Sequence, residues 1–199
     1  MQLTFADITL PGWLVVSQWA LLFALGLLII MMYRQVALLE QLKDRGSERA
    51  GLHPGEKAHS FDYIPVNRIT NVLTRFEPRG RWSLLLFADP SCASCQNALL
   101  ALEKLSPHLP QSLQVLVATT SEPALISASD AFKLTSFELG RIPVDVSTRL
   151  YNTGVTPFGH LIDPEGVVHA KGIVTDEASL RKLVRHGDSK LINVEFTVS

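Results

Sequence analysis

The chain has 199 residues, enough for one domain with an appendage but not comfortably for two domains. Its 18 Lys and Arg residues against 19 Asp and Glu give a net charge of −1, and no basic run exceeds two residues. This pattern lacks the clustered cations with which proteins bind phosphates, so we expect no nucleic-acid partner.

The most apolar stretch lies near the N-terminus, where no charged residue occurs from Trp13 to Tyr33. Helical residues rise about 1.5 Å each, so this stretch reaches roughly 30 Å, the thickness of a bilayer core. We predict a retained transmembrane anchor over residues 13–33 after an N-terminal tail, residues 1–12. A cleaved signal peptide is the first alternative, although the basic segment and small-residue cleavage site that it needs are missing. A buried helix is the second alternative.

The charges that flank this apolar stretch bear on its orientation. The N-terminal flank has Asp7 and no Lys or Arg, whereas the following flank carries four cations, Arg34, Lys43, Arg45 and Arg49. The positive-inside rule would therefore keep the domain that follows in the cytoplasm.

Residues 34–55 are predicted to form a juxtamembrane helix and a linker, residues 56–186 one α/β domain, and residues 187–199 a C-terminal tail. Apolar runs typical of strands alternate with runs of helical period in the domain. The predicted elements are an edge strand "FDYIPV", a buried strand "RWSLLLFAD", a helix "CQNALLALEKLS", a buried strand "SLQVLVATT", a helix "EPALISASDAFKL", two strands in "FGHLIDPEGVVHAKG" and a helix "TDEASLRKLVRH". The first strand is assigned to an edge because its proline cannot donate to a neighbour. The order predicts a mixed sheet flanked by helices.

The only two cysteines, Cys92 and Cys95, occupy the junction between the second strand and the first helix of the domain. Free N–H groups and the helix dipole stabilise a thiolate at the start of a helix, so Cys92 is predicted to be the nucleophile. Cys95 lies on the same helical face, with Ala93 and Ser94 between the two, and can resolve a mixed disulfide on Cys92. The predicted redox group is the Cys92–Cys95 disulfide, with no other cofactor.

Other roles for the cysteine pair are weaker. A zinc site needs two further ligands, and His108 has no second histidine at ligand spacing. Two inert core cysteines would not be expected at a strand–helix junction. A purely structural disulfide would close too small a loop to stabilise the fold much. We therefore predict no metal ligands and favour redox chemistry.

A second signal is Thr156–Pro157, which opens the strand that begins "FGHLID" and resembles the cis-proline element of thioredoxins. The chain resembles the thioredoxin superfamily in its membrane-anchored TlpA/ResA-like branch, and more closely the MauD-type methylamine-utilisation accessory proteins. The resemblance is carried by the anchor ending in "YRQVALLEQL", by "LLFADPSCASC" and by "VTPFGHLIDPEGVVHAKGIVTDEASLRKLV". It implies a thioredoxin-like fold, and a Thr156 that faces the active site if Pro157 is cis.

The sequence departs from these relatives near the cysteines. Ala93 stands where the family usually has proline directly after its first cysteine, and Ser91 where many relatives have tryptophan. Leu86 occupies the position of the buried acid of thioredoxin, which leaves Asp89 as the carboxylate that could serve Cys95. These differences leave open whether the chain oxidises, reshuffles or reduces disulfides.

The resemblance also implies a bacterial inner-membrane anchor with the domain in the periplasm, and a role in making the disulfide-rich small subunit of an amine dehydrogenase. We expect a thiol–disulfide oxidoreductase that acts on this disulfide-containing client and exchanges electrons with a membrane thiol-redox partner. One alternative is a thiol reductant for cytochrome c maturation. Another is a scaffold without turnover that holds a client or a copper ion, although we expect His160 to be a neutral strand histidine.

Overall fold

The computed structural model of the chain describes residues 12–66 and 72–185. It divides the chain into two compact units, Met1–Gly46 and Ser47–Ser199. The predicted tail at residues 187–199 and nearly all of the tail at residues 1–12 lie outside the described residues.

The described part of the first unit belongs to one long helix, α1, which runs from Gly12 to Arg49 and so ends within the second unit. Within it, Val16–Gln35 has a mean hydropathy of 2.0, which is apolar enough, over 20 residues, to cross a membrane. The side chains of this stretch are exposed, whereas those of a core helix would be buried. The predicted juxtamembrane helix is thus a direct continuation of the apolar helix, because nothing between Tyr33 and Arg49 breaks it.

The second unit contains a seven-stranded mixed sheet with helices. Its order is β2-β1-β5-β4-β3-β6-β7. Strands β3, β4 and β5 run parallel and the remaining pairs are antiparallel. The elements are β1 (Phe61–Pro65), β2 (Thr74–Phe76), β3 (Ser83–Phe87), α2 (Ala93–Leu105), β4 (Gln114–Thr119), α3 (Pro123–Ala128), α4 (Asp130–Lys133), β5 (Glu138–Arg141), β6 (Phe158–Ile162), β7 (Val168–Ile173) and α5 (Glu177–Arg185), with a 3₁₀ turn at Ser106–His108 and a π-helical turn at Val146–Leu150. The predicted α/β class, with a mixed sheet and helices, is confirmed.

The central strand β3 is apolar throughout because both of its faces are covered. Leu84 and Leu86 point into a core shared with α2 and α5, whereas Leu85 and Phe87 point into a second core on the opposite face. The second core is rich in aromatic rings, and Leu52 and Ala58 from the segment before β1 pack against it. The predicted linker is therefore partly packed on the domain.

Two predicted elements differ from the structure. The strand "FDYIPV" is not at an edge, because β1 lies between β2 and β5. Its residues 61–63 pair with β2, and Pro65 pairs with Gly140 only after that ladder has ended, so the proline interrupts neither ladder. The helix predicted over "EPALISASDAFKL" is two short helices, because Ser129 is extended and ends α3 before α4 begins.

The sequence patterns also missed the two strands β2 and β5, the 3₁₀ turn and the π-helical turn. Strands β2 and β5 have three and four residues, and each includes charged side chains. They lack the apolar run that identified the other strands. Their strand conformation comes from pairing with β1 and β4 rather than from a local pattern.

Candidate active site

Cys92 lies at the N-terminus of α2, where the parallel strand β3 has ended. It is the N-cap residue, with an extended backbone (φ −92°, ψ 117°), and its carbonyl accepts from the N–H groups of Cys95 and Gln96 at 3.0 and 3.1 Å. Its own N–H donates to the carbonyl of Asp89 at 3.1 Å, which closes the turn between strand and helix. Cys92 is therefore held by backbone bonds at the position where the helix dipole favours an anion.

The two thiols are both free, and their surroundings differ sharply. Cys92 is half-buried, whereas Cys95 is 0% exposed and packs in the core beneath α2. Burial raises the pKa of the Cys95 thiol to about 12, and a hydrogen bond from the backbone of Asp89 opposes this only in part. Cys95 is thus protonated near neutral pH, while Cys92 is the thiol that a large disulfide can reach.

Asp89 organises the turn that leads into the cysteines. One carboxylate oxygen accepts from both the backbone N–H and the hydroxyl of Ser91, at 2.8 and 2.6 Å, and the other accepts from the Ser121 hydroxyl at 3.4 Å. The hydrogen bond from the Ser91 side chain is the main reason why the pKa of Asp89 lies below its usual value. These hydrogen bonds stabilise the ionised carboxylate, and through them Asp89 shapes the turn that precedes Cys92. Ser121 was missed by the sequence analysis, since an isolated serine after a strand carries no signal.

The core side of β3 offers Cys95 no acid. Leu86, at the position of the buried acid of thioredoxin, is 0% exposed and packs in the same cluster as Cys95 and Leu99. The side chain that could exchange a proton with Cys95 in a thioredoxin is replaced here by an aliphatic one.

The loop before β6 faces the cysteines. The Thr156–Pro157 peptide bond is cis, and the Thr156 carbonyl oxygen accepts from the Cys92 thiol at 3.9 Å. Thr156 is exposed and Pro157 buried, and Ala93 and Ser94 are exposed in the first turn of α2. All six predicted site residues therefore lie at the strand–helix junction or on the loop that meets it.

A cleft with a volume of about 220 Å³ adjoins this loop. Asp89 and Thr156 line it, and hydroxyl groups supply much of the remaining polar surface, from Thr120, Ser147, Thr148 and Thr153. The cleft is lined by Thr156, whose carbonyl accepts from Cys92, and it has room for a side chain of a bound polypeptide.

His160 is not part of a metal site in the described parts of the chain, where no three His, Cys, Asp or Glu side chains cluster. It is 0% exposed on β6, and its Nε2 atom accepts from the backbone N–H of Leu52 at 3.2 Å. Burial, and secondarily the charge of Lys171, lowers its pKa from 6.5 to about 3. It is therefore the neutral strand histidine that the sequence predicted.

No protein-family model matches the chain. It is 30% identical to the methylamine utilization protein MauD of Methylobacillus flagellatus over 190 residues, which cover 88% of this chain and 87% of the relative. It is 27% identical to the protein of the same name from Methylophilus methylotrophus, over 88% of this chain and 84% of that relative.

Solved structures agree on the fold. A putative thiol:disulfide interchange protein DsbE from Chlorobium tepidum superimposes with a TM-score of 0.56, over 68% of this chain and 95% of that one, at 18% identity. At that identity the match bears on the thioredoxin-like fold alone. The sequence similarity, at 30% identity over 88% of the chain, is what identifies it: the chain belongs to the MauD family of methylamine utilization proteins.

Proposed function

We propose that the chain is a membrane-anchored, periplasmic thiol–disulfide oxidoreductase, and that it forms or reshuffles disulfides in the small subunit of a methylamine dehydrogenase during maturation. The observation that carries the proposal is the paired geometry of the cysteines. Cys92 is accessible at a helix N-terminus and faces the Thr156 carbonyl, and Cys95 is buried one turn further along α2.

In the oxidising direction, a client thiolate attacks Cys92 Sγ of the Cys92–Cys95 disulfide, and Cys95 leaves with the electron pair of the broken bond and takes up a proton. A second client thiolate then attacks the client sulfur of the mixed disulfide, and Cys92 leaves as a thiolate. The client gains one disulfide and the protein becomes a dithiol, which a membrane thiol-redox partner must reoxidise.

Reshuffling begins instead from the reduced protein. The Cys92 thiolate attacks a client disulfide, and the released client thiolate attacks another disulfide of the same client before Cys92 is expelled. Cys95 attacks Cys92 and releases the client only when the rearranging client has not itself expelled Cys92. The high pKa of Cys95 supports this order, because a protonated thiol resolves the mixed disulfide slowly and leaves the client time to rearrange.

The membership of the MauD family supports a client connected with methylamine utilization, since its relatives carry that name. The apolar stretch Val16–Gln35 supports a single anchor. The flanking cations favour the opposite orientation, but large domains cross membranes largely regardless of flanking charge. We therefore place the domain in the periplasm, where disulfides persist.

The proposal is tested by trapping the client. With Cys95→Ser, the mixed disulfide on Cys92 cannot be resolved from within the protein, so the client should remain attached and be identified by mass spectrometry after non-reducing electrophoresis. The expected client is the dehydrogenase small subunit. The matched control is Cys92→Ser/Cys95→Ser, which should trap nothing.

Other results would support the alternatives. Recovery of an apocytochrome would favour a reductant for cytochrome c maturation and overturn the proposed client. Full dehydrogenase maturation in cells that carry only the Cys92→Ser/Cys95→Ser protein would favour a scaffold and overturn the enzymatic role.

A further inference from the structure

The segment that follows α1 is bound to the loop that faces Cys92. We call residues 49–53, which are the last residue of α1 and the four residues after it, the strap. The Gly51 N–H donates to the carbonyl of Asn152 at 2.8 Å, and the Asn152 side-chain amide donates to the carbonyl of Arg49 at 3.4 Å. Asn152 has a left-handed backbone (φ +49°) and lies four residues before Thr156. One end of the loop is thus hydrogen-bonded to the strap in both directions.

Two side chains of the β6–β7 ladder form hydrogen bonds with the backbone of the strap. Lys171 Nζ donates to the carbonyls of Ala50 and Gly51 at 2.7 and 3.2 Å, and His160 Nε2 accepts from the Leu52 N–H. Lys171 and His160 stand opposite each other on β7 and β6. Two paired positions of the sheet therefore bind the strap backbone, Lys171 as the donor and His160 as the acceptor.

At the other end of the loop, Gly51 lies close to the ring of Phe158. A Cβ atom at this position would clash with Phe158 Cε1 and would lie 2.7 Å from His160 Nε2, and the backbone has φ +75°. Only glycine fits both the close approach and the left-handed conformation. Phe158 is fully buried and directly follows Pro157, so the strap packs on the residue at which the loop enters β6.

We propose that the strap is a positioning device for the Thr156 loop, and that Lys171 is its principal positioning residue. Both ends of the loop, Asn152 and Phe158, are held by the strap, and the Thr156 carbonyl between them faces Cys92 Sγ. The inference rests on the proposed function, because it gives the loop the task of aligning an extended client with Cys92. An extended chain pairs with exposed backbone groups, whereas a small disulfide needs only the sulfur.

The test uses the full-length protein in detergent micelles with Cys95→Ser, so that Cys92 is the only thiol. Two substrates release the same thionitrobenzoate anion: the small disulfide dithiobis(nitrobenzoate), and an extended peptide whose single cysteine carries thionitrobenzoate. In each case the Cys92 thiolate forms a new S–S bond and the thionitrobenzoate leaves with the electron pair.

With Lys171→Ala, the rate with the peptide should fall about tenfold while the rate with the small disulfide changes little, since displacement of reacting groups by about 1 Å costs up to roughly 100-fold. Lys171→Arg, which can still donate to both carbonyls, should restore the peptide rate. Lys182→Ala, which removes an exposed lysine of α5, should leave both rates unchanged. Equal changes with the two substrates, or none, would overturn the inference.

Hydrogen–deuterium exchange gives a second measurement that does not depend on reactivity. Lys171→Ala should accelerate exchange in residues 49–53 and 151–158 and leave the central strand β4 unchanged. Acceleration in β4 as well would show general destabilisation and would contradict a positioning role, as would unchanged exchange in the loop. If the Cys95→Ser parent released thionitrobenzoate from neither substrate, the proposed function would be wrong. The hydrogen–deuterium exchange of the loop would then be the measurement that tests whether the strap positions it.

Discussion

At the scale of single residues, the same side chain has different chemistry according to its burial. Cys92 and Cys95 are three positions apart, but only Cys95 is fully enclosed by apolar side chains such as Leu86 and Leu99. An enclosed thiol keeps its proton because its thiolate would lose the solvation of water. The division of labour between an attacking and a resolving cysteine therefore comes from packing rather than from residue type.

His160 shows the same principle with the opposite sign of charge. The rings of Phe87, Tyr151 and Phe158 surround it at centroid distances of 5.8, 5.4 and 5.1 Å. Its Nε2 accepts from Leu52, so the proton of the neutral ring is assigned to Nδ1, which has no hydrogen-bond partner among the described residues. A buried donor without a partner destabilises a fold by about 1–3 kcal/mol. The same ring accepts a hydrogen bond from the strap through its Nε2 atom.

The burial of His160 predicts a loss of stability in acid. Its pKa is about 3 in the folded chain and 6.5 in the unfolded chain, so below pH 6.5 the unfolded state binds a proton that the folded state does not. Stability falls by about 1.4 kcal/mol per pH unit from this group, or about 2 kcal/mol between pH 6.5 and pH 5. Urea unfolding of the full chain at pH 7 and pH 5 should show that His160→Gln, whose amide oxygen can accept from Leu52, loses about 2 kcal/mol less than the parent. Identical pH dependence in the two proteins would contradict the prediction.

At the scale of elements, α2 connects the core to the site. One face of the helix is buried, with Cys95, Leu99 and Leu102 each 0% exposed, and the other face is open to solvent. Strand β3 ends at the carboxyl edge of the parallel strands, and α2 begins shortly after it. Cys92 therefore lies at that edge of the sheet. Its packing on the sheet is therefore what keeps the two thiols in register with the Thr156 loop.

Two adjacent leucines of α2 provide a matched test of this packing. Leu99→Ala should lower the free energy of unfolding by about 2–5 kcal/mol, because it leaves a cavity in the core. Leu100 is 51% exposed, and Leu100→Ala should change the free energy of unfolding by no more than about 0.5 kcal/mol. Urea unfolding measures both. A loss from Leu100→Ala as large as that from Leu99→Ala would show that the helix is packed on a different face.

Elements differed in how far the sequence could predict them. Strands β3 and β4 and the β6–β7 hairpin follow from apolar runs and from a turn at Gly166 (φ +79°). The break at Ser129 was not predicted, because serine also occurs within helices and no glycine or proline marks the end of α3. Short strands such as β5 have too few residues for any period to be recognised.

At the scale of the whole molecule, the chain combines an apolar helix with a redox domain. The apolar stretch is the one described part of the chain long and apolar enough to cross a membrane. Large apolar side chains are exposed along it, from Val16 to Tyr33, and soluble proteins rarely expose an apolar surface of this size to water. This exposed apolar surface is consistent with a single membrane anchor.

The proposed orientation predicts the outcome of a reporter fusion. Alkaline phosphatase joined to the C-terminus should be active in cells, because this enzyme folds with its disulfides only outside the cytoplasm. The same fusion without residues 1–35 should be inactive, since nothing then directs it across the membrane. An inactive full-length fusion, together with an active cytoplasmic reporter at the same position, would place the domain in the cytoplasm and contradict the proposal.

The sequence by itself determined the local features of this protein: an uncharged helix of membrane length, a CxxC at a strand–helix junction, and a Thr-Pro before a hairpin. These features depend on neighbouring residues, whose periodicity and capping preferences are written in the chain. The tertiary structure alone decided that β1 is interior, that Leu86 rather than an acidic side chain packs in the core with the buried Cys95, and that Gly51 hydrogen-bonds to Asn152 and lies close to Phe158. The first and the last of these depend on contacts between residues far apart in the chain, such as Ile64 with Arg141 and Gly51 with Asn152, which no local pattern encodes.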